Sequence, residues 1–507
     1  MKTIPHSRRD HYLIIISIFL ITVALITGLA GCLGYNHPPS QNLEIQDWYD
    51  LDAIRDNLGG DHILMNDLDS TTPGYNELAS PAANGGKGWE PIGIHNLYGD
   101  SAYEGFLGAF YGQGYEIRDL FINRPDEGYV GLFGALGGRW AKVAVTRDIE
   151  AVNVTVIGDF RVGGLVGDNS CTVSNSYSTG NVTGNQSVGG LVGGNWGGTV
   201  SNSYYNYDEV LINGENVITI GALFGEDFEE WIDNDNFLDV NERFTQRKGH
   251  YLINDVSDFE QLLAFGQDDS LKFRLTNDLD LVDEPNFYIP YFAGEFDGNG
   301  HKISNLNCNF GSVSHVGLFG YIGHGGEVTE VGVENVNITG VGWVGGLVGF
   351  NDGAVSTSYS SGSMGGNMYI GGLMGVNWVS DTVSNSYSTG NVTGSDYVGG
   401  LVGANWGGIV SKSYSTGNVS SNEWAGGLVG ENAGGGLIRN SFWDIETSGQ
   451  ATSHGGTGKN TTEMQDIATF SGAGWNIITV ANPDTRNLSY IWNIVDDETY
   501  PFLSWQS

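Results

Sequence analysis

Short apolar runs of Val, Leu, Ile and Tyr recur along this chain, cut at steady intervals by Gly, Asn, Ser and Thr. The clearest unit is VGGLVGANWGGIVSKSYSTGNVS at 398–420, and close copies begin at Val162, Val188, Val344, Ile370 and Ala425. Shorter variants begin at Val130, Ile220 and Val316. Successive starts are 32, 26 and 32 residues apart in one group and 28, 26, 28 and 27 in a second. A period in this range marks a solenoid, in which a unit cannot bury its own apolar face and its neighbours supply the core. Helical repeats need long runs of Leu, Ala, Glu and Lys at a 3.6 period. These units instead carry two or three short runs rich in Val, Tyr and Thr between turn residues, which is strand punctuation. About three strands in roughly 27 residues fit one coil of a parallel β-helix, stacked about 4.8 Å from the next. The expected fold is therefore all-β: a right-handed parallel β-helix (β-solenoid) in two tandem arrays with short helical caps.

Spacing inside the units sharpens this. Seven residues separate the start of each copy from an Asn, giving Asn169, Asn195, Asn351, Asn377, Asn405 and Asn432. Identical amides stacked at strand spacing can bond along a ladder, so these six are expected to be structural. Four residues separate the next Val from an aromatic, as in Val173/Tyr177, Val355/Tyr359, Val383/Tyr387 and Val410/Tyr414. The gap between Asn and Val varies, as a loop between registered strands would. The face of the Tyr column stays open. Strict alternation groups Val, the middle residue and Tyr together, yet that middle residue is Lys412 in one copy. A bulge would turn Val inward and Tyr outward. If the column faces solvent, Tyr359, Tyr387 and Tyr414 are candidate ligand-facing aromatics; if inward, they are core.

Each array has its own opening. DLDAIRDNLGGDHILMNDLD ends at Asp69, and DFEQLLAFGQDDSLKFRLTNDLDL ends at Leu281; both predict a short amphipathic helix and then a strand. The recurrence makes the chain an internal duplication with a seam near 245–250, and the openings should cap exposed strand edges. Asp67/Asp69 and Asp278/Asp280 recur at the same place and are expected to serve capping turns rather than a cation. After the repeats, Thr462 is placed to cap a helix carrying Met464, Ile467 and Phe470. The expected organisation is a signal over 1–31, a linker over 32–43, a first array over 44–248, a second over 249–460 and a C-terminal cap over 461–507.

The N-terminus reads as an address. Lys2, Arg8 and Arg9 precede an apolar run from Tyr12, which ends in Leu29-Ala30-Gly31-Cys32. This is the pattern of an export signal. Its last four residues resemble the lipobox of prokaryotic lipoproteins, which implies that Cys32 is lipidated and tethers the chain to the outer face of the cell membrane. An uncleaved membrane helix is the alternative.

Composition changes the picture in two ways. With 59 acidic and 21 basic residues the net charge is −38, which repels nucleic acid and anionic lipid. The three cysteines, Cys32, Cys171 and Cys308, are too few for a disulfide scaffold and match no zinc pattern. No calcium-loop motif is present, so no metal or cofactor is expected. Eight Asn-x-Ser/Thr sites occur, several in the repeated GNVTG turn, where Asn suits the backbone.

GGLVG-x-N, VSNSYSTGNVTG and the flanking FDGNGHKISNL and FWD-x-E-TSG strings are similar to the GLUG repeat of bacterial and archaeal surface proteins. The resemblance covers most of residues 100–460. It implies an exported β-solenoid, often adhesin-like, and supplies no catalytic residue. Some immunoglobulin A peptidases pair this repeat with a zinc protease, but HExxH is missing here. The main alternative is a polysaccharide lyase or hydrolase, which needs carboxylates converging on one face. Asp168, Asp352 and Glu431 do not share a column, and His301, His315 and His324 are close in sequence only. Catalysis is not expected; the expected partners are cell-surface glycans or proteins, with the membrane reached through the lipid anchor.

Overall fold

The copies stack. In the second array each coil contributes four strands, all paired in parallel with the equivalent strands of the coils before and after. The first carries the glycine pair, as in Met368–Gly371, and forms a four-stranded sheet. The next ends in Asn, as in Met374–Asn377, within a five-stranded sheet. Then comes a Val strand, Thr382–Ser384, in a nine-stranded sheet, and a Tyr strand, Tyr387–Ser388 with Asn391–Gly394, in an eleven-stranded one. Equivalent residues lie opposite each other: Ile370 faces Val398, Asn377 faces Asn405, Val383 faces Val410 and Tyr387 faces Tyr414. A one-residue slip in any strand would exchange its core and outer faces, so the apolar pattern fixes this register.

The computed structural model describes residues 43–93, 105–137 and 144–506, and Gln41–Ser507 form one compact unit. The signal over 1–31, most of the 32–43 linker and Cys32 lie outside the described residues. The first array is the less regular one. Its Val and Tyr strands share one eleven-stranded sheet, because the 13-residue strand Val145–Ile157 pairs with both Thr172–Ser174 and Tyr177–Thr183.

Two glycines explain the tight first corner. A Cβ on Gly371 would lie 1.9 Å from the Met374 carbonyl oxygen, and one on Gly372 would lie 2.2 Å from the Gly400 carbonyl of the next coil. Neither approach tolerates a side chain.

A second corner separates the Val and Tyr strands and settles which way each points. Its central residue is left-handed in every copy: Asn175 (φ 47°), Asn202 (45°), Thr357 (47°), Asn385 (49°), Lys412 (49°) and Asn440 (50°). That turn breaks the two-residue alternation. Val355, Val383 and Val410 therefore pack into the solenoid interior, while the tyrosines leave it and join a separate apolar cluster with the C-terminal segment.

The openings fold as short helices, Trp48–Asp52 and Val256–Glu260, each capped by an Asp side chain and followed by a strand. The C-terminal segment forms helices Thr461–Gln465 and Ile467–Gly472 and a three-stranded sheet. The residue that caps the first of these helices is Asn460, not Thr462. Its side chain accepts from the Glu463 amide while Glu463 reaches back to the Asn460 amide, a reciprocal pair open to residue 460 alone. Among the described residues no helix is long and apolar enough to cross a membrane.

Candidate functional site

Two buried polar columns consume the repeat's conspicuous side chains. Asn351 Nδ2 donates to Asn377 Oδ1 at 2.9 Å, Asn377 to Asn405 at 2.9 Å and Asn405 to Asn432 at 2.8 Å; in the first array Asn169 donates to Asn195 at 2.8 Å. All are buried except Asn432, which is half-buried at the end of its array. Their other hydrogen goes to turn carbonyls such as Gly408 O, so an amide that would be costly to bury alone is satisfied along the stack. A serine column runs beside it. The Ser358, Ser386 and Ser413 amides donate to the Ser386, Ser413 and Ser441 hydroxyls of the following coil, and each hydroxyl donates to the carbonyl two residues back. Sequence reasoning overlooked these serines, although SNSYS and SKSYS repeat the same position.

Tyr359, Tyr387 and Tyr414 do not offer a ligand-facing strip. They stack at 5.0 and 4.9 Å with nearly parallel rings, but are 5%, 7% and 1% exposed. The C-terminal segment lies over them: Trp505 stacks on Tyr359, Trp492 packs on Tyr387 and Tyr414, and the Tyr414 hydroxyl donates to Pro501 O. Burial pushes the Tyr414 phenol well above its ordinary pKa. The cover comes from outside the repeat, where repeat spacing carries no information.

The aromatic column that does reach solvent sits elsewhere. One residue before Val316, Val344, Ile370, Val398 and Ala425 stand His315, Trp343, Tyr369, Tyr397 and Trp424, in five successive coils. His315 stacks on Trp343 at 4.7 Å, Trp343 on Tyr369 at 6.1 Å, Tyr369 on Tyr397 at 5.0 Å and Tyr397 on Trp424 at 6.4 Å, with interplanar angles of 7° to 15°. His315 is buried, the next three rings are half-buried, and Trp424 is 50% exposed. Trp343, Tyr369 and Tyr397 hold φ of 53°, 59° and 53°, a left-handed conformation that bulky residues rarely adopt. Such backbone costs on the order of 1–3 kcal/mol per residue, and ring stacking recovers about 0.5–1.5 kcal/mol per pair. The position could have been found by reading one residue upstream of each copy; because it holds His, Trp or Tyr by turns, no single letter repeats.

The first array presses against the buried end of this column. Ser187 Oγ lies 3.0 Å from Ser314 Oγ, the Gly197 amide donates to the Tyr321 hydroxyl, and Trp196 packs on Trp343, Phe350, Trp378 and Trp406. Burial, with the Arg161 charge nearby, lowers the His315 pKa to about 3, so this ring is neutral at the junction.

The candidate carboxylates Asp168, Asp352 and Glu431 have separate surroundings. Asp168 is bound by Arg161 at 2.7 Å and lies opposite Gly194; Glu431 lies opposite Ala404 and accepts from Trp406 Nε1; Asp352 follows its Asn. His301 pairs with Asp278 and His324 approaches Asp352, apart from His315. The capping carboxylates serve backbone: Asp69 accepts from the Thr71 and Thr72 amides, Asp67 from that of Glu116, Asp278 from that of Lys302 and Asp280 from that of Val282. Among the described residues no group of His, Cys, Asp and Glu could hold a metal ion, and Cys171 and Cys308 are buried.

The GLUG motif matches residues 158–183 and 394–420. Halomucin of Haloquadratum walsbyi is 33% identical over 170 residues, which are 33% of this chain and 2% of that protein. A "Putative Gly-rich membrane protein" of Evansella cellulosilytica is 39% identical over 130 residues, 25% of this chain and 13% of that one. The chain thus spans a small part of the length of either relative. A crystal structure described as "a putative immunoglobulin A1 protease from Bacteroides ovatus" superposes with a TM-score of 0.40 at 16% identity, over 52% of this chain and 95% of that one.

Proposed function

We propose that this GLUG-repeat β-solenoid protein works at a cell surface, tethered through Cys32, as an adhesin-like or envelope structural protein that binds rather than catalyses. One observation carries the reading: the repeat's polar columns, asparagine and serine alike, are buried and spent on holding one coil to the next. The repetition therefore builds length and surface, and no copy gathers reactive groups. The names of the similar proteins, halomucin and a membrane protein, support a surface location. The pairing of Leu29-Ala30-Gly31 with Cys32 supports the lipid tether. The test is membrane fractionation and surface protease shaving of cells making the full chain or Cys32→Ser. The wild type should sediment with membranes and be shaved from intact cells, and the variant should appear in the medium. Recovery of both forms in the cytosol would refute the location, and depolymerisation of a polysaccharide by the purified chain would refute the absence of catalysis.

A further inference from the structure

The two arrays use the same three column positions in different ways, and the difference identifies a partner. In the first array the ring column holds Tyr129, Arg161 and Ser187. Arg161 lies 5.3 Å from the centre of the Tyr129 ring and 5.4 Å from that of Trp196, and pairs with Asp168 at 2.7 Å. An arginine is thus held between aromatic rings and a carboxylate. In the second array the ring column is aromatic throughout. Trp406 occupies the Trp196 position and packs edge-on against Tyr369 at 4.8 Å, and Glu431 occupies the Asp168 position. Among the described residues the second array places no Lys or Arg there, and the His454 ring packs on Trp424 at 5.9 Å. Among the described residues Asp396, Glu423 and Glu431 form no ion pair, and Lys412 is the sole Lys or Arg between residues 366 and 433.

We infer that the ladder Tyr369–Tyr397–Trp424, with Trp406 and Glu431, is a docking surface for an arginine side chain presented by a partner protein. Glu431 uses one oxygen on Trp406 Nε1 at 2.6 Å and keeps the other for a donor. The negative field is local as well as global: the charges of Glu431 and Asp396 add to burial in pushing the Tyr369 phenol up to about 12. A planar guanidinium both stacks on rings and pairs with a carboxylate, which an ammonium does less well. The surface also continues an interface already in use, since the first array covers its buried end, His315 and Trp343, and packs Trp196 on Trp406 at 5.9 Å. This inference names a partner class for the surface role proposed above and rests on that reading for its biology alone.

The test is calorimetry on the full chain with hexa-arginine, hexa-lysine and a neutral hexasaccharide in about 0.15 M salt, where exposed charges are largely screened. Hexa-arginine should bind about tenfold tighter than hexa-lysine. Trp424→Ala with Glu431→Gln should remove about tenfold of that affinity, and Glu209→Gln, a distant exposed carboxylate, should leave it within about twofold. Tyr397→Asn supplies a variant that folds, because Asn accepts φ 53° readily, and it too should weaken hexa-arginine binding. Equal affinity for the two peptides, binding that survives in the variants, tighter binding of the hexasaccharide, or dimerisation of the chain through this face would each overturn the assignment. None of these outcomes bears on whether the chain reaches the surface, which fractionation reads separately.

Discussion

The two arrays expose the same problem and cover it differently. Each turns a tyrosine column out of the solenoid at a left-handed corner, and each must bury it. The first does so mainly with one helix, Gly225–Asp233, whose Trp231 packs on Tyr177 and Tyr204 and whose Phe228 packs on Tyr177, while the Tyr204 hydroxyl donates to Ala264 O. The second uses the whole C-terminal segment, where Trp475, Trp492 and Trp505 divide three tyrosines among them. The repeat thus decides where an aromatic points, and a segment outside the repeat decides whether it is core or surface. The unequal covers predict unequal sensitivity. Trp231 and Trp492 are both fully buried, so either change to Ala should cost about 3–5 kcal/mol. Trp231→Ala should sit at the upper end because Trp231 is the one tryptophan packed on its two tyrosines, whereas Trp475 and Trp505 share the second column with Trp492. Urea unfolding of the two variants gives the order, and a larger loss for Trp492→Ala would mean that the C-terminal cover is not shared.

The polar ladders differ in length, which allows a second comparison. The second array's asparagines form a run of four and the first array's a pair. Asn377→Ala strips a side-chain partner from both Asn351 and Asn405, whereas Asn195→Ala strips one from Asn169 alone. Each orphaned buried group costs about 1–3 kcal/mol, so Asn377→Ala should destabilise by about twice as much as Asn195→Ala. Equal losses would show that the turn carbonyls, not the neighbouring amides, hold these side chains.

At the junction between the arrays, acid should act through His315. Its folded pKa of about 3 lies below the ordinary value of 6.5, so the unfolded chain binds the extra proton as the pH falls between them. Stability contributed by the neutral ring is complete above about pH 6.5 and is lost progressively toward pH 3. Between pH 7 and pH 5 the loss comes to about 2 kcal/mol, with Arg161 reinforcing it. His315→Phe keeps the stack on Trp343 and should lose that part of the pH dependence. An unchanged profile would place the acid sensitivity in the carboxylates instead.

What the sequence discloses divides along physical lines. Positions that recur in register are legible, since a slip would turn a whole strand inside out: the seven-residue step to Asn and the four-residue step from Val to Tyr both survive into facing pairs such as Asn377–Asn405 and Val383–Val410. What fails is alternation across a corner. Asn175, Asn202 and Asn385 look like ordinary strand or turn residues, yet each carries a positive φ that reverses the next strand's faces. Covers fail too, because Trp231 and Trp492 lie far along the chain from the tyrosines they bury. The exposed ring ladder escapes because stacking selects for any flat side chain, so its column mixes three residue types.

The corner residue gives the smallest and most pointed test of the comparison. The first array has Asn at corners 175 and 202, while the second alternates Thr357, Asn385, Lys412 and Asn440. A β-branched residue is the poorest choice for a left-handed backbone, and Asn is among the best after Gly. Thr357 survives at φ 47° while its carbonyl accepts from Trp505 Nε1, whereas in the first array the covering tryptophan, Trp231, donates to the side chain of the corner residue Asn202. The Thr357 bond is made by the backbone, so Thr357→Asn should keep it and relieve the strain, raising stability by about 1 kcal/mol. The reverse change in the first array, Asn202→Thr, should cost more than this gain. It strains the corner, and it also removes the side chain that accepts from Trp231 Nε1 at 2.8 Å and donates to Asn175 at 2.9 Å. If the two substitutions instead shifted the unfolding midpoint by equal and opposite amounts, backbone strain alone would govern these corners, and the link between corner residue and covering segment would be lost.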